Sequence, residues 1–269
     1  MVPSFTIFAC IVTLLISLIL PPAAAMVYAG KNRKQGVGLG WLLGAVGFVV
    51  PQMLIRLPIL NLLSANARFL AFAQSHPLVY SLGLAFTAGL FELAGRYAVA
   101  MTMRNRLTYQ RSLAAGMGHG GIEAMLLVGL TYVNNLVLIF QIQSGSFDAL
   151  LAQTAALGGS TAALEAARQT MVTASGLWFL LAGVERLLTM VFHTAMSLLV
   201  CYSVHRRRPL VGMLICLGLH TAVDSVVGLS LVMDQTLAAG LVYLVLTAAA
   251  AVSVWMILVI RRRWKEEGQ

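Results

Sequence analysis

Seven long apolar stretches divide this chain, and they constrain its fold more than any other feature. They run over about residues 4–28, 37–60, 77–103, 112–140, 172–204, 209–231 and 236–260. Each is long enough to cross a hydrocarbon core, which takes roughly 20 residues of helix. Backbone N–H and C=O groups find no water there, so each stretch has to bond to itself as a helix. The sequence therefore predicts an all-α, polytopic transmembrane bundle of about seven spans. Composition agrees: the chain is 59% hydrophobic and 10% charged, against about 25% charged in an average soluble domain.

The net charge of +9 does not point to nucleic acid, because the basic residues sit in the short breaks between spans. Lys31, Arg33 and Lys34 form one cluster; Arg104, Arg106 and Arg111 a second; Arg206, Arg207 and Arg208 a third; Arg261, Arg262, Arg263 and Lys265 a fourth. Seven spans place these 13 of the 18 Lys and Arg residues on one side, the positive-inside pattern. Six or eight spans would scatter them. The expected topology has the N-terminus outside and the C-terminus cytoplasmic. Arg68 and Arg168 fall on the outer side, Arg56 near it, and Arg96 and Arg186 within spans. The segment MVPSFTIFA lacks the basic start of a signal peptide, so the first span reads as an uncleaved helix. Cys10, Cys201 and Cys216 all fall in apolar spans without metal spacing and read as packing residues.

The expected organisation is one integral membrane domain over 1–269, with a catalytic core at about 77–231 and an outer loop at 141–171. Within that loop, residues 144–170 read as a connector carrying a short surface helix. No internal repeat is evident, which argues against a secondary transporter. The lack of eukaryotic sorting signals fits a bacterial cytoplasmic (inner) membrane.

Ionisable residues inside spans need a reason to be there. Four of them count to one depth. Glu92 lies 11 residues before Met103, Glu123 lies 11 after Ser112, His193 lies 11 before Val204, and His220 lies 11 after Pro209. At the rise of a helix each count is about 16 Å, near the middle of a bilayer. Four helices thus bring a carboxylate or an imidazole to a shared polar site. Arg96 and His119 lie about one turn nearer the basic side and Asp224 about one turn farther away. Glu92 with Arg96, and His220 with Asp224, are i,i+4 pairs able to hold one another. Glu185 and Arg186 sit nearer the outer face and read as structural support. Gly116, Gly118, Gly120 and Gly121 around His119 either let helices approach closely or leave room for substrate or water.

FELAGRY at Glu92 and Arg96, GMGHGGIEA at His119 and Glu123, the ER…FH pattern from Glu185 to His193, and HTAVD at His220 and Asp224 resemble the YhfC family. That family is related to the type II CAAX prenyl endopeptidases, and the resemblance spans about residues 77–231. It implies an intramembrane peptidase. By position, Glu92 would be the first-motif glutamate, His119 the second-motif histidine, and His220 with Asp224 the pair that stabilises an oxyanion. The wider group has two adjacent glutamates in its first motif, whereas Glu92 stands between Phe91 and Leu93. The general base is therefore Glu92 or Glu123.

The resulting expectation is a glutamate-type endopeptidase without cofactor, acting on membrane-embedded or membrane-proximal peptide segments from within the lipid bilayer. Glu92 or Glu123 with His119 would activate water, and His193 and His220 would face the oxyanion. A zinc form would use His119, His193 and His220 as ligands. The metal-free form is preferred because H-x-x-x-E is not the H-E-x-x-H zinc spacing. A non-catalytic scaffold binding transmembrane helices is a further alternative.

Overall fold

The computed structural model describes residues 1–228 and 233–267. Ten helices follow in chain order: α1 (Ser4–Lys31), α2 (Val37–Ser64), α3 (Ala67–Ser75), α4 (Pro77–Thr102), α5 (Tyr109–Ser144), α6 (Ser146–Ala156), α7 (Ala162–Thr173), α8 (Gly176–His205), α9 (Pro209–Gly228) and α10 (Gln235–Glu266). No strand occurs among the described residues. Seven of the helices, α1, α2, α4, α5, α8, α9 and α10, are long and apolar enough to cross a membrane. The end of the sixth expected span, at 229–231, lies outside the described residues.

Helix ends follow local chemistry. Pro77 and Pro209 open α4 and α9, where a missing N–H is harmless. The Asn66 and Asp234 side chains each accept two backbone N–H groups at the starts of α3 and α10. Gly145, with φ +79°, ends α5. Three helices widen into π-helical turns: α1 at Leu15–Ile19, α2 at Val49–Arg56 and α5 at Ala124–Gly129. The first lies one residue before Pro21 and Pro22 and the second contains Pro51, residues that cannot donate to the normal ladder.

The helices belong to two compact units. The first comprises Met1–Pro22 and Ala124–Leu187, around a core that includes Cys10, Tyr132, Met171 and Phe179. In it, the Phe179 carbonyl accepts from Thr13 Oγ1 at 2.7 Å and from the Tyr132 hydroxyl at 2.9 Å. The expected outer loop is mostly helical: α6 and α7 are tied by Arg168 to Asp148 at 2.7 Å. Two helices thus replace the single surface helix read from the sequence.

The second unit comprises Ala23–Glu123 and Leu188–Gln269. Its helices meet at glycines. A Cβ on Gly44 or Gly118 of this unit would collide with the backbone of Ala115 or Trp41, so α2 and α5 touch main chain to main chain. Gly47 and Gly95 do the same for α2 and α4, and Gly116 lies 2.7 Å by that measure from the Thr194 Cα on α8. Lipid gives no hydrophobic drive between helices, so such close backbone packing is what holds them. Large apolar side chains such as Leu210, Leu214 and Leu244 project outward instead. Gly44→Val should therefore lower stability by about 1–3 kcal/mol or more, while Gly38→Val, whose Cβ meets nothing within 4 Å, should be near neutral. Thermal denaturation of the two variants in detergent checks this.

Candidate metal centre

Within the second unit, five helices each send polar side chains to one buried point. On α4, α5 and α9 the i,i+4 spacing puts Glu92 with Arg96, His119 with Glu123, and His220 with Asp224 on one face. From α8 comes His193. The wide turn of α2 adds Gln52 and Arg56. Every one of these residues except Asp224 is buried, from His119 at 1% to Glu123, Gln52 and Arg56 at 8% exposure.

Glu92 is the hub. Its Oε1 accepts from Gln52 Nε2 at 3.1 Å and lies 3.7 Å from His220 Nε2. Its Oε2 accepts from Arg96 Nη2 at 3.0 Å and stands 3.1 Å from His119 Nε2 and 3.5 Å from His193 Nδ1. Gln52 is itself fixed by Arg56 Nη1 at 3.4 Å, and Arg56 also donates to Thr87 Oγ1 and to the Leu84 carbonyl. A carboxylate in such a place is tolerable only when surrounded by donors in this way.

The protonation of His193 follows from its neighbours. Arg96 Nη2 lies 2.6 Å from His193 Nδ1, and an arginine can only donate, so Nδ1 accepts. The ring proton then sits on Nε2, which lies 2.9 Å from Glu123 Oε2. His119 is wedged at right angles against Phe48, with ring centroids 5.4 Å apart. Asp224 Oδ2 holds His220 Nε2 at 3.2 Å, while His220 Nδ1 has no hydrogen-bond partner among the described residues.

The donor set suits a divalent metal. Glu92, His119, Glu123 and His193 each bring one ligand atom within 4.8 Å of the others. Two donors on one tetrahedral zinc, bound at about 2.0–2.1 Å, stand roughly 3.3 Å apart. The separations from Glu92 Oε2, 3.1 Å to His119 Nε2 and 3.5 Å to His193 Nδ1, bracket that value. Glu123 on the far nitrogen of His193 makes the carboxylate–histidine arrangement that orients metal-binding imidazoles. Arg96 Nη2 contacts the same two acceptors, so its N–H and a metal ion are alternatives there.

The expected residues thus come together, with three differences. His220 stands beside the ligand group rather than in it, and the carboxylates Glu92 and Glu123 join His119 and His193. Glu185 lies in the first unit, paired with Arg186. Gln52 and Arg56 were not anticipated; their signal was an i,i+4 polar pair just after Pro51. Three of the glycines around His119 are packing residues: Gly116 and Gly120 lie against α8 and Gly118 against α2.

Removing Arg96 from the metal-stripped protein leaves the Glu92 charge uncompensated. Arg96→Met should lower stability by about 3–5 kcal/mol, and adding Glu92→Gln should recover much of it. A double-mutant cycle by denaturation in detergent measures this coupling.

Comparison with known proteins agrees with the geometry. A family model described as YhfC intramembrane metalloprotease matches residues 16–247. A Bacillus subtilis (strain 168) protein, "Uncharacterized membrane protein YhfC", is 34% identical over 182 residues, or 66% of this chain and 69% of that protein. No solved structure matches. These findings correct the expectation of a cofactor-free enzyme: the family is one of metalloproteases, and the chain buries a Glu/His group able to hold a metal. Helix-to-helix assembly of ligands is the reason sequence spacing did not reveal it.

Proposed function

Because this chain belongs to the family of YhfC intramembrane metalloproteases, we propose that it is a zinc-dependent endopeptidase cutting membrane-embedded or membrane-proximal peptide segments. The observation that carries this reading is the buried group of Glu92, His119, Glu123 and His193. In it, Glu92, His119 and His193 Nδ1 would hold the ion, and Glu123 would keep the His193 proton on Nε2. Zinc in such a site supplies Lewis acidity, polarising the scissile carbonyl and making water acidic enough to attack near neutral pH.

Peptide hydrolysis adds water across a C–N bond, so a proton must leave the water and reach the departing amine. Glu123 is the carboxylate nearest the ligands that is not needed to hold the ion, and we assign it the proton transfer. With an ion held at His193 Nδ1, Arg96 would be free to donate to the developing oxyanion. Its Nε and Nη1 are buried with no hydrogen-bond partner among the described residues, so donors are in hand. His220, oriented by Asp224 at Nε2, adds a second donor at Nδ1 once protonated. Gln52, itself held by Arg56, donates to the second oxygen of Glu92.

The wider kinship with the type II CAAX prenyl endopeptidases is part of the same proposal and rests on the Glu92–Arg96, His119 and His220–Asp224 motifs. So is the placement of the basic clusters at the cytoplasmic face, with the N-terminus outside, in a bacterial cytoplasmic membrane. The working core, about 77–231 by motif, extends to α2 through Gln52. Substrates are membrane proteins or peptides.

The test is proteolysis by the purified protein in vesicles, on membrane proteins whose fragments disappear when it is deleted. Chelator should stop cleavage and zinc restore it. Glu92→Gln, His119→Ala and Glu123→Gln should each lower the rate at least about a hundredfold. Undiminished cleavage by chelated protein or by these variants would refute the reading.

A further inference from the structure

At one end of the second unit, apart from the ion site, two cavities adjoin at Tyr28. The first, about 300 Å³, is lined by Tyr28, Asn32, Tyr109, Gln110, Arg261 and Lys265 among others. It presents two cations, two phenol hydroxyls and two amides, and no carboxylate lines it. Other basic side chains nearby in sequence are engaged: Arg111 donates to the Gln35 and Arg106 carbonyls, and Arg206 pairs with Glu267. Arg261 and Lys265 make no hydrogen bond or ion pair among the described residues. A cavity with paired cations and neutral donors, and no anion of its own, matches the chemistry of a phosphate group.

The second cavity, about 170 Å³, is apolar, lined by Tyr28, Ala29, Val37, Gly38, Trp41 and Met117 among others. Its lining offers almost no polar surface, so it suits a hydrocarbon chain. A free phosphate ion would use the first cavity and leave this one without purpose. A molecule with a phosphate at one end and a hydrocarbon chain at the other fills both.

We propose that these cavities form one binding site for an anionic phospholipid. Its phosphate lies against Arg261 and Lys265, and one acyl chain runs past Tyr28 into the slot beside Trp41. Basic pockets between membrane helices recognise headgroups by the same charge logic.

Native mass spectrometry of the full chain in detergent, titrated with dioctanoyl phosphatidylglycerol, dioctanoyl phosphatidylcholine or inorganic phosphate, tests this. Phosphatidylglycerol should bind saturably and at least about tenfold tighter than phosphatidylcholine. The double variant Arg261→Gln/Lys265→Gln should lose at least about tenfold in phosphatidylglycerol affinity. Gly38→Phe, which fills the slot from a position with open space around its Cβ, should weaken the same lipid. All substituted positions are exposed, so lipid-free melting should not change. Equal binding of the two lipids, unchanged affinity in either variant, or inorganic phosphate competing as well as the lipid would overturn the proposal. The last outcome would assign the cavity to a soluble anion.

Discussion

One buried carboxylate organises the second unit. Glu92 is 3% exposed within a membrane helix, where an unmatched charge is untenable, and its two oxygens draw partners from neighbouring helices. Gln52 from α2, Arg96 from its own helix and His119 from α5 stand at 3.0–3.1 Å. His193 from α8 and His220 from α9 complete the surround at 3.5 and 3.7 Å. Such reach demands helices packed closer than ordinary side chains permit. The glycines at 44, 47, 95, 116, 118 and 120 supply that closeness, so packing and site are two aspects of one requirement.

The same surround explains why the site suits metal chemistry. Three atoms with lone pairs converge on one region, and the positive charge they require can come from Arg96 or from an ion. A guanidinium satisfies Glu92 and His193 electrostatically and leaves the fold intact. A zinc ion does so with Lewis acidity added. Glu123 Oε2 stands 2.9 Å from His193 Nε2, the ring nitrogen turned away from Glu92.

Much of this was legible in the sequence because bilayer thickness imposes a ruler. Span number followed from apolar length, and counting residues from span ends brought Glu92, Glu123, His193 and His220 to one level. Ends were misjudged where polar turns prolong a helix, as at Lys31, Ser144 and Glu266. Apolar length alone ends the second span at residue 60, whereas α2 runs to Ser64 and widens around Pro51. The wide turn brings Gln52 and Arg56 inward, a change of direction that apolar length does not encode. The metal set was hidden for a related reason: Glu92, His119 and His193 come from three different helices, and no local spacing records their convergence. The glycines around His119 had two readings, and only the neighbouring backbones decide for packing.

The central claim is that the Glu92-centred cluster holds a metal ion, and zinc K-edge X-ray absorption on the purified protein tests it most directly. The account predicts stoichiometric zinc with a nitrogen and oxygen shell, imidazole scattering from two histidines, and loss of the signal in His119→Ala. Sulfur in the first shell, or a spectrum unchanged by that substitution, would contradict it.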